Sequence, residues 1–155
     1  MKPRSDHWKV APGGFKAMQS LEAYLRESGL EKPLLHMVKL RASQMNGCAY
    51  CIDMHWKDAR AVGESEQRLY GLDAWRESPY YSPRERAALD WAEAVTRIGD
   101  THAPDDVYQA LAAQFKEEEI VALTFALVAI NGWNRLCIGL RVPAGTYQVR
   151  ETVKA

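Results

Sequence analysis

The sequence predicts an all-α fold, a single helical bundle of five to seven helices that spans residues 1–155, and three observations support it. Sustained apolar–polar alternation, which marks β-strands, is almost absent. Apolar residues recur instead at helical spacing, and turn or capping signals separate the recurrent stretches. The length of 155 residues suits one domain that buries roughly two-thirds of its unfolded surface without disulfide staples.

The first half of the chain carries the periodicity of four helices. Gly29 is a stop signal after the first of them, and Asn46-Gly47 interrupts the pattern after the second. The predicted helices cover 15–28, 34–45, 47–62 and a short stretch after Ser65 that ends near Gly71. A connecting loop is predicted over 75–81.

The strongest local signal is Ser82-Pro83-Arg84-Glu85, which combines a capping serine, proline at the first helical position and glutamate at the third. It opens a helix that runs to Gly99. A further helix is predicted from Pro104 to Phe115, and the most apolar helix from Glu117 to about Arg141. The apolar run 120–130 is about half of the roughly 20 residues that span a bilayer, so it predicts a buried core helix.

Charge and composition exclude several classes of function. Lys+Arg and Asp+Glu both number 20 and the pI is near 6.9, so no basic excess favours nucleic acid or a membrane surface as a partner. The first residues lack the apolar core of a signal peptide. We therefore expect a cytoplasmic protein in a reducing compartment. From Pro143 onwards the chain is expected to be loosely held.

The chemistry is predicted to reside in Cys48, Cys51 and His55. If a helix starts at Cys48, the spacing of three and then four residues puts all three side chains on one helix face. Free backbone N–H groups in the first helical turn stabilise a thiolate, and the histidine one turn later can take up or relay a proton. This pattern is typical of dithiol–disulfide redox chemistry.

Other interpretations of the same residues remain open. In a non-enzymatic, zinc-stabilised domain, Cys48, Cys51 and His55 would be three ligands of a tetrahedral zinc site, and Cys137 or His36 would be the fourth. The cysteines also fit simple core packing, the role expected for Cys137. A thiol–disulfide reductase or redox sensor is a further alternative, because a C-x-x-C pair alone does not identify its oxidant.

The stretch from His36 to Arg60, HMVKLRASQMNGCAYCIDMHWKDAR, resembles the core motif of the alkylhydroperoxidase D-like branch of the carboxymuconolactone decarboxylase superfamily. The similarity extends loosely to SPRERAALDWAEAVTRI and NGWNRL, so it covers about residues 15–142. The resemblance implies an all-α bundle that associates through helices into homo-oligomers, often trimers or hexamers. It implies a peroxidase that acts on organic hydroperoxides or hydrogen peroxide and needs neither metal nor other cofactor.

The resemblance also implies roles for individual residues. Cys51 would be oxidised by the hydroperoxide, Cys48 would donate a proton and resolve the product into a disulfide, and His55 would relay protons. An external dithiol would then reduce the disulfide. The helix-terminus argument alone favours Cys48 as the nucleophile. The family typically has glutamate twelve residues before the first cysteine, where this chain has His36, whose neutral imidazole can still accept a proton and serve in the relay beside His55. The best-studied branch of the family has histidine where this chain has Tyr50.

Overall fold

The computed structural model describes residues 2–149 and contains no β-strand within that range. The all-α prediction is therefore confirmed for this part of the chain. Six of its nine α-helices have at least eight residues, which agrees with the predicted number of helices. The helices are α1 His7–Val10, α2 Pro12–Glu27, α3 Lys32–Asn46, α4 Ala49–Ala61, α5 Glu66–Tyr70, α6 Pro83–Thr96, α7 Ile98–Thr101, α8 Asp105–Ala112 and α9 Glu117–Leu140.

Helix α9 forms the centre of the bundle and packs against α2, α3, α4, α6 and α8. Asn131 and Gly132 lie within it and do not interrupt it. By length and composition alone, its 24 residues are enough to cross a membrane. The apolar run 120–130 considered in the sequence is shorter than this helix. However, 56% of its apolar window is buried inside the protein, as in the core helix of a soluble protein.

The predicted capping box at the start of α6 is confirmed. The Glu85 backbone N–H donates to Ser82 Oγ at 3.3 Å, and the Ser82 N–H donates to Glu85 Oε2 at 2.7 Å. Two of the helix's otherwise unpaired N–H groups are thereby satisfied. The Glu85 carboxylate also pairs with Arg68, so the same side chain ties α5 to α6.

Two departures from the sequence prediction lie at the chain ends. Helix α1 was not predicted, and its Trp8 ring packs on Phe15 with ring centroids 4.0 Å apart. The stretch 143–149, expected to be loosely held, is bonded to α4 instead. Lys57 Nζ donates to the Tyr147 carbonyl at 3.0 Å, and Tyr147 Oη donates to Asp58 Oδ1 at 2.7 Å. The remainder of the predicted loose tail, 150–155, lies outside the described residues.

Burial along α9 makes a prediction about stability. Leu127 is fully buried, whereas its neighbour Val128 is 54% exposed. Truncation of Leu127 removes core contacts and leaves a cavity, so Leu127→Ala should lower the free energy of unfolding by about 2–5 kcal/mol. The matched control Val128→Ala should change it by about 0.5 kcal/mol or less. Urea unfolding of both variants measures the difference, and equal losses would contradict this placement of the core.

Candidate active site

The site begins at the turn between α3 and α4. Gly47 has φ of 70°, a left-handed conformation that is strained for residues with a side chain. It ends α3, and the next residue, Cys48, caps the N-terminus of α4 in an extended conformation. On the other side of the glycine, Asn46 Nδ2 donates to Asn131 Oδ1 at 2.9 Å and to Asn134 Oδ1 at 2.8 Å. The turn is thereby fixed against α9.

Cys48 and Cys51 form a disulfide across the first turn of α4, with their Cα atoms 5.3 Å apart. The Cys51 backbone N–H donates to Cys48 Sγ at 3.4 Å, so the Cys48 sulfur occupies the capping position. Exposure is 1% for Cys48 and 0% for Cys51. Both cysteines are therefore buried, and the terminal position of Cys48 does not expose it.

A cavity of about 480 Å³ lies beside the pair, between α2, α3, α4 and α9. Residues of α1 and of the segment 142–149 complete its lining. Cys51 lines this cavity, and His36 and His55 line it as well. Cys48 is absent from the lining. A small molecule in the cavity would thus lie against Cys51 and not against Cys48. Three of the four predicted site residues, Cys51, His36 and His55, line this cavity. The fourth, Cys48, is outside the lining and is joined to Cys51 by the disulfide.

The two histidines lie close together in this chamber. Their ring centroids are 5.9 Å apart, and the Nδ1 atom of each is buried with no hydrogen-bond partner among the described residues. Burial lowers the pKa of His55 well below its usual value, with smaller contributions in the same direction from Lys39 and His36. Burial also lowers the pKa of His36, partly opposed by the charge of Asp58. Both rings are consequently neutral at neutral pH and are free to accept protons.

Sequence reasoning missed the charged residues in the cavity wall, among them Glu22, Lys39 and Asp58. Lys39 Nζ pairs with Glu22 Oε2 at 2.5 Å, and Trp133 Nε1 donates to the other oxygen of Glu22 at 3.1 Å. Asp58 follows His55 by three residues on α4, a spacing that could have revealed it. Glu22 has no such signal, because it comes from another helix.

Cys137 was expected to be an inert residue of the packed core. The structure places it next to the Cys48–Cys51 pair. Its sulfur lies within 4.8 Å of the sulfurs of both Cys48 and Cys51. Burial raises the pKa of its thiol to about 11, so it stays protonated at neutral pH. The candidate zinc ligands therefore separate into two groups, the three cysteines and a set in which His36 and His55 join Asp58.

Other candidate residues divide between the cavity and the core. Trp133 lines the cavity, whereas Trp91 and Tyr81 are buried in the two core clusters. Tyr50 also lines the cavity, and burial raises the pKa of its hydroxyl. Arg41 pairs with acidic groups outside the cavity lining, Glu93 at 2.8 Å and Asp73. Glu31 pairs with Arg84 at 3.0 Å and takes no part in the chamber.

The chain is similar to two solved structures. A crystal structure from Agrobacterium tumefaciens, described as a protein of unknown function and a candidate antioxidant-defence protein AhpD, is 49% identical. It superposes with a TM-score of 0.91 over 94% of this chain and 100% of its own. The debrominase Bmp8 superposes with a TM-score of 0.76 at 19% identity, over 84% of this chain and 70% of its own. This second likeness is one of fold alone.

Sequence comparison gives the family. The uncharacterized protein YdfG of Bacillus subtilis is 43% identical over 140 residues, which cover 90% of this chain and 95% of that protein. The model of the carboxymuconolactone decarboxylase family matches residues 12–94, a stretch that contains the C-x-x-C pair and both histidines. Because that match covers more than half of the chain and a relative of this similarity spans nearly all of it, the chain belongs to the carboxymuconolactone decarboxylase family.

Proposed function

We propose that this protein is a thiol-dependent peroxidase that reduces small hydroperoxides through a Cys48–Cys51 dithiol/disulfide cycle. The observation that carries the proposal is the position of Cys51, whose side chain lines a cavity that it shares with His55. The neighbouring thiol needed to close a disulfide, Cys48, is already within bonding reach. The likeness to the Agrobacterium tumefaciens protein adds support, since that protein is described as a candidate for antioxidant defence.

The first half of the cycle oxidises Cys51. Neutral His55 accepts the proton of the Cys51 thiol, and the sulfur attacks one oxygen of the hydroperoxide. The O–O bond breaks, the sulfur becomes a sulfenic acid, and the imidazolium returns its proton to the departing alkoxide, which leaves as an alcohol or as water. The low pKa of His55 makes the first proton transfer less favourable and the second more favourable, because its protonated form gives up a proton readily.

The second half closes and reopens the disulfide. The Cys48 thiol displaces the hydroxyl of the Cys51 sulfenic acid, and one water molecule leaves. An external dithiol then attacks the sulfur of Cys51 and expels Cys48 as a thiolate, after which the second thiol of the reductant releases Cys51. The Cys48 sulfur accepts the backbone N–H of Cys51 at the helix N-terminus, which stabilises that thiolate as a leaving group.

Burial favours a small oxidant over a protein disulfide. Neither sulfur of the pair is more than 1% exposed, so a folded protein substrate has no direct access to it. A cavity of about 480 Å³ is sufficient for a small organic hydroperoxide. These two facts weigh against the thiol–disulfide reductase alternative. Homo-oligomer formation and a cytoplasmic location remain part of the proposal.

Single cysteine variants test the assignment of roles. Cys51→Ser should abolish hydroperoxide consumption because it removes the attacking sulfur. Cys48→Ser should react once and retain a sulfenic acid on Cys51, detected by intact mass as one added oxygen atom and by a sulfenic acid-specific label. Cys137→Ser is the control and should still lose two hydrogens per chain on oxidation. A Cys51→Ser protein with full turnover would refute the proposal.

The proton relay is tested at His55. His55→Asn should slow formation of the sulfenic acid by about 10² to 10⁴, the usual contribution of a general acid–base group. Stopped-flow measurement of a single turnover isolates this step from reductant chemistry. His102→Asn is the control, since His102 is an exposed histidine outside the cavity lining and asparagine tolerates its left-handed backbone. An unchanged rate in His55→Asn would exclude this histidine from the relay.

The preference for small oxidants is tested by substrate size. The reduced protein should be oxidised faster by a small organic hydroperoxide than by the disulfides of insulin at equal concentration, because the sulfurs are reached only through the cavity. Both rates are read from the loss of free thiol. Faster oxidation by insulin would favour the disulfide reductase alternative instead.

A further inference from the structure

We propose that His36, His55 and Asp58 form a binding site for a divalent transition-metal ion such as Zn²⁺ on the wall of the cavity. The three side chains come from two helices, α3 and α4, and all three line the same chamber. Two imidazoles and one carboxylate are a donor set that Zn²⁺ and Fe²⁺ both accept.

The geometry is close to that of a bound ion. One potential ligand atom from each residue lies within 4.8 Å of those from the other two. Ligands of a tetrahedral ion are about 3.4 Å apart when metal–ligand bonds are about 2.1 Å long. Small rotations about the side-chain torsions are enough to close the difference. Three protein ligands would leave at least one coordination position open towards the cavity.

An unsatisfied nitrogen supplies a second, independent observation. His55 is only 5% exposed, and its Nδ1 atom is buried without a hydrogen-bond partner. His36 Nδ1 is in the same condition. Buried polar atoms are normally hydrogen-bonded, and an unpaired one carries a cost in desolvation. Two buried imidazoles with unpaired nitrogens, clustered with the carboxylate of Asp58, are therefore suited to coordinating a cation.

The surroundings orient the carboxylate and balance the charge. Tyr147 Oη donates to Asp58 Oδ1 at 2.7 Å, which holds the carboxylate and leaves Oδ2 for an ion. The positive charges of Lys39 and Lys32 near His36 oppose a cation, and the ion pair of Lys39 with Glu22 offsets one of them. The carboxylate of Asp58 is then the anion that favours metal at this position.

The site is chemically distinct from the three cysteines. Cysteine thiolates are soft ligands, and the disulfide between Cys48 and Cys51 removes two of them from coordination. The histidine–aspartate set is available in either redox state. If the proposed peroxidase function holds, an ion on His36 and His55 withdraws both rings from proton transfer, so Zn²⁺ should also inhibit hydroperoxide reduction. That consequence rests on the proposed function, whereas metal binding itself does not.

The test is calorimetric titration with Zn²⁺ alone. The full-length protein is stripped of metal with a chelator, and its disulfide form is compared with the Cys48→Ser/Cys51→Ser variant, which has no peroxidase cycle. Both should bind one Zn²⁺ per chain. His36→Ala and Asp58→Asn should each weaken binding by about 100-fold or more, and Tyr147→Phe by about 10- to 100-fold through its hold on the carboxylate. Circular dichroism checks that each variant is folded.

The matched control is Asp53→Asn. Asp53 lies on the same helix and also bonds the chain end, through Gly145, but it does not belong to the histidine cluster. Its replacement should leave the affinity for Zn²⁺ unchanged. A Co²⁺-loaded protein should show d–d absorption without the near-ultraviolet charge-transfer band of thiolate ligands. No saturable binding, binding that survives both His36→Ala and Asp58→Asn, or binding lost with the cysteines would overturn the proposal. Metal binding without peroxidase activity would refute only the proposed function.

Discussion

Asn46 donates its amide hydrogens to Asn131 and Asn134 one residue before Gly47 turns the chain into a left-handed conformation. These two features join the end of α3 to the middle of α9 and set where α4 begins. The first turn of α4 carries Cys48 and Cys51, so the placement of the pair depends on this junction. A side chain at Gly47 would meet no neighbouring atom, and the constraint there is purely one of backbone conformation.

The same junction gives the two cysteines different surroundings. Local geometry gives Cys48 the capping position, where a backbone N–H stabilises its sulfur. Tertiary packing gives Cys51 the cavity. A helix terminus alone favours the first cysteine as nucleophile, whereas access to a small oxidant favours the second. In the proposed cycle access outweighs thiolate stability, because a stabilised thiolate that no substrate reaches has only the role of a leaving group.

Burial governs the rest of the chamber. Desolvation holds His36 and His55 neutral, keeps Cys137 protonated and leaves imidazole nitrogens without partners. Neutral, unpaired imidazoles serve equally well as proton acceptors and as metal ligands. The proposed peroxidase cycle and the proposed metal binding therefore draw on the same two rings, and the carboxylate of Asp58 is the group that distinguishes them.

Local signals in the sequence determined the all-α fold, most of its long helices, the capping box at Ser82 and the shared helix face of Cys51 and His55. These features depend on periodicity and on neighbours within one helical turn. Only the tertiary structure decided that Glu22 and the segment around Tyr147 line the cavity. Contacts across 17 to 111 residues create those features, and no local pattern in the chain encodes such distant partners.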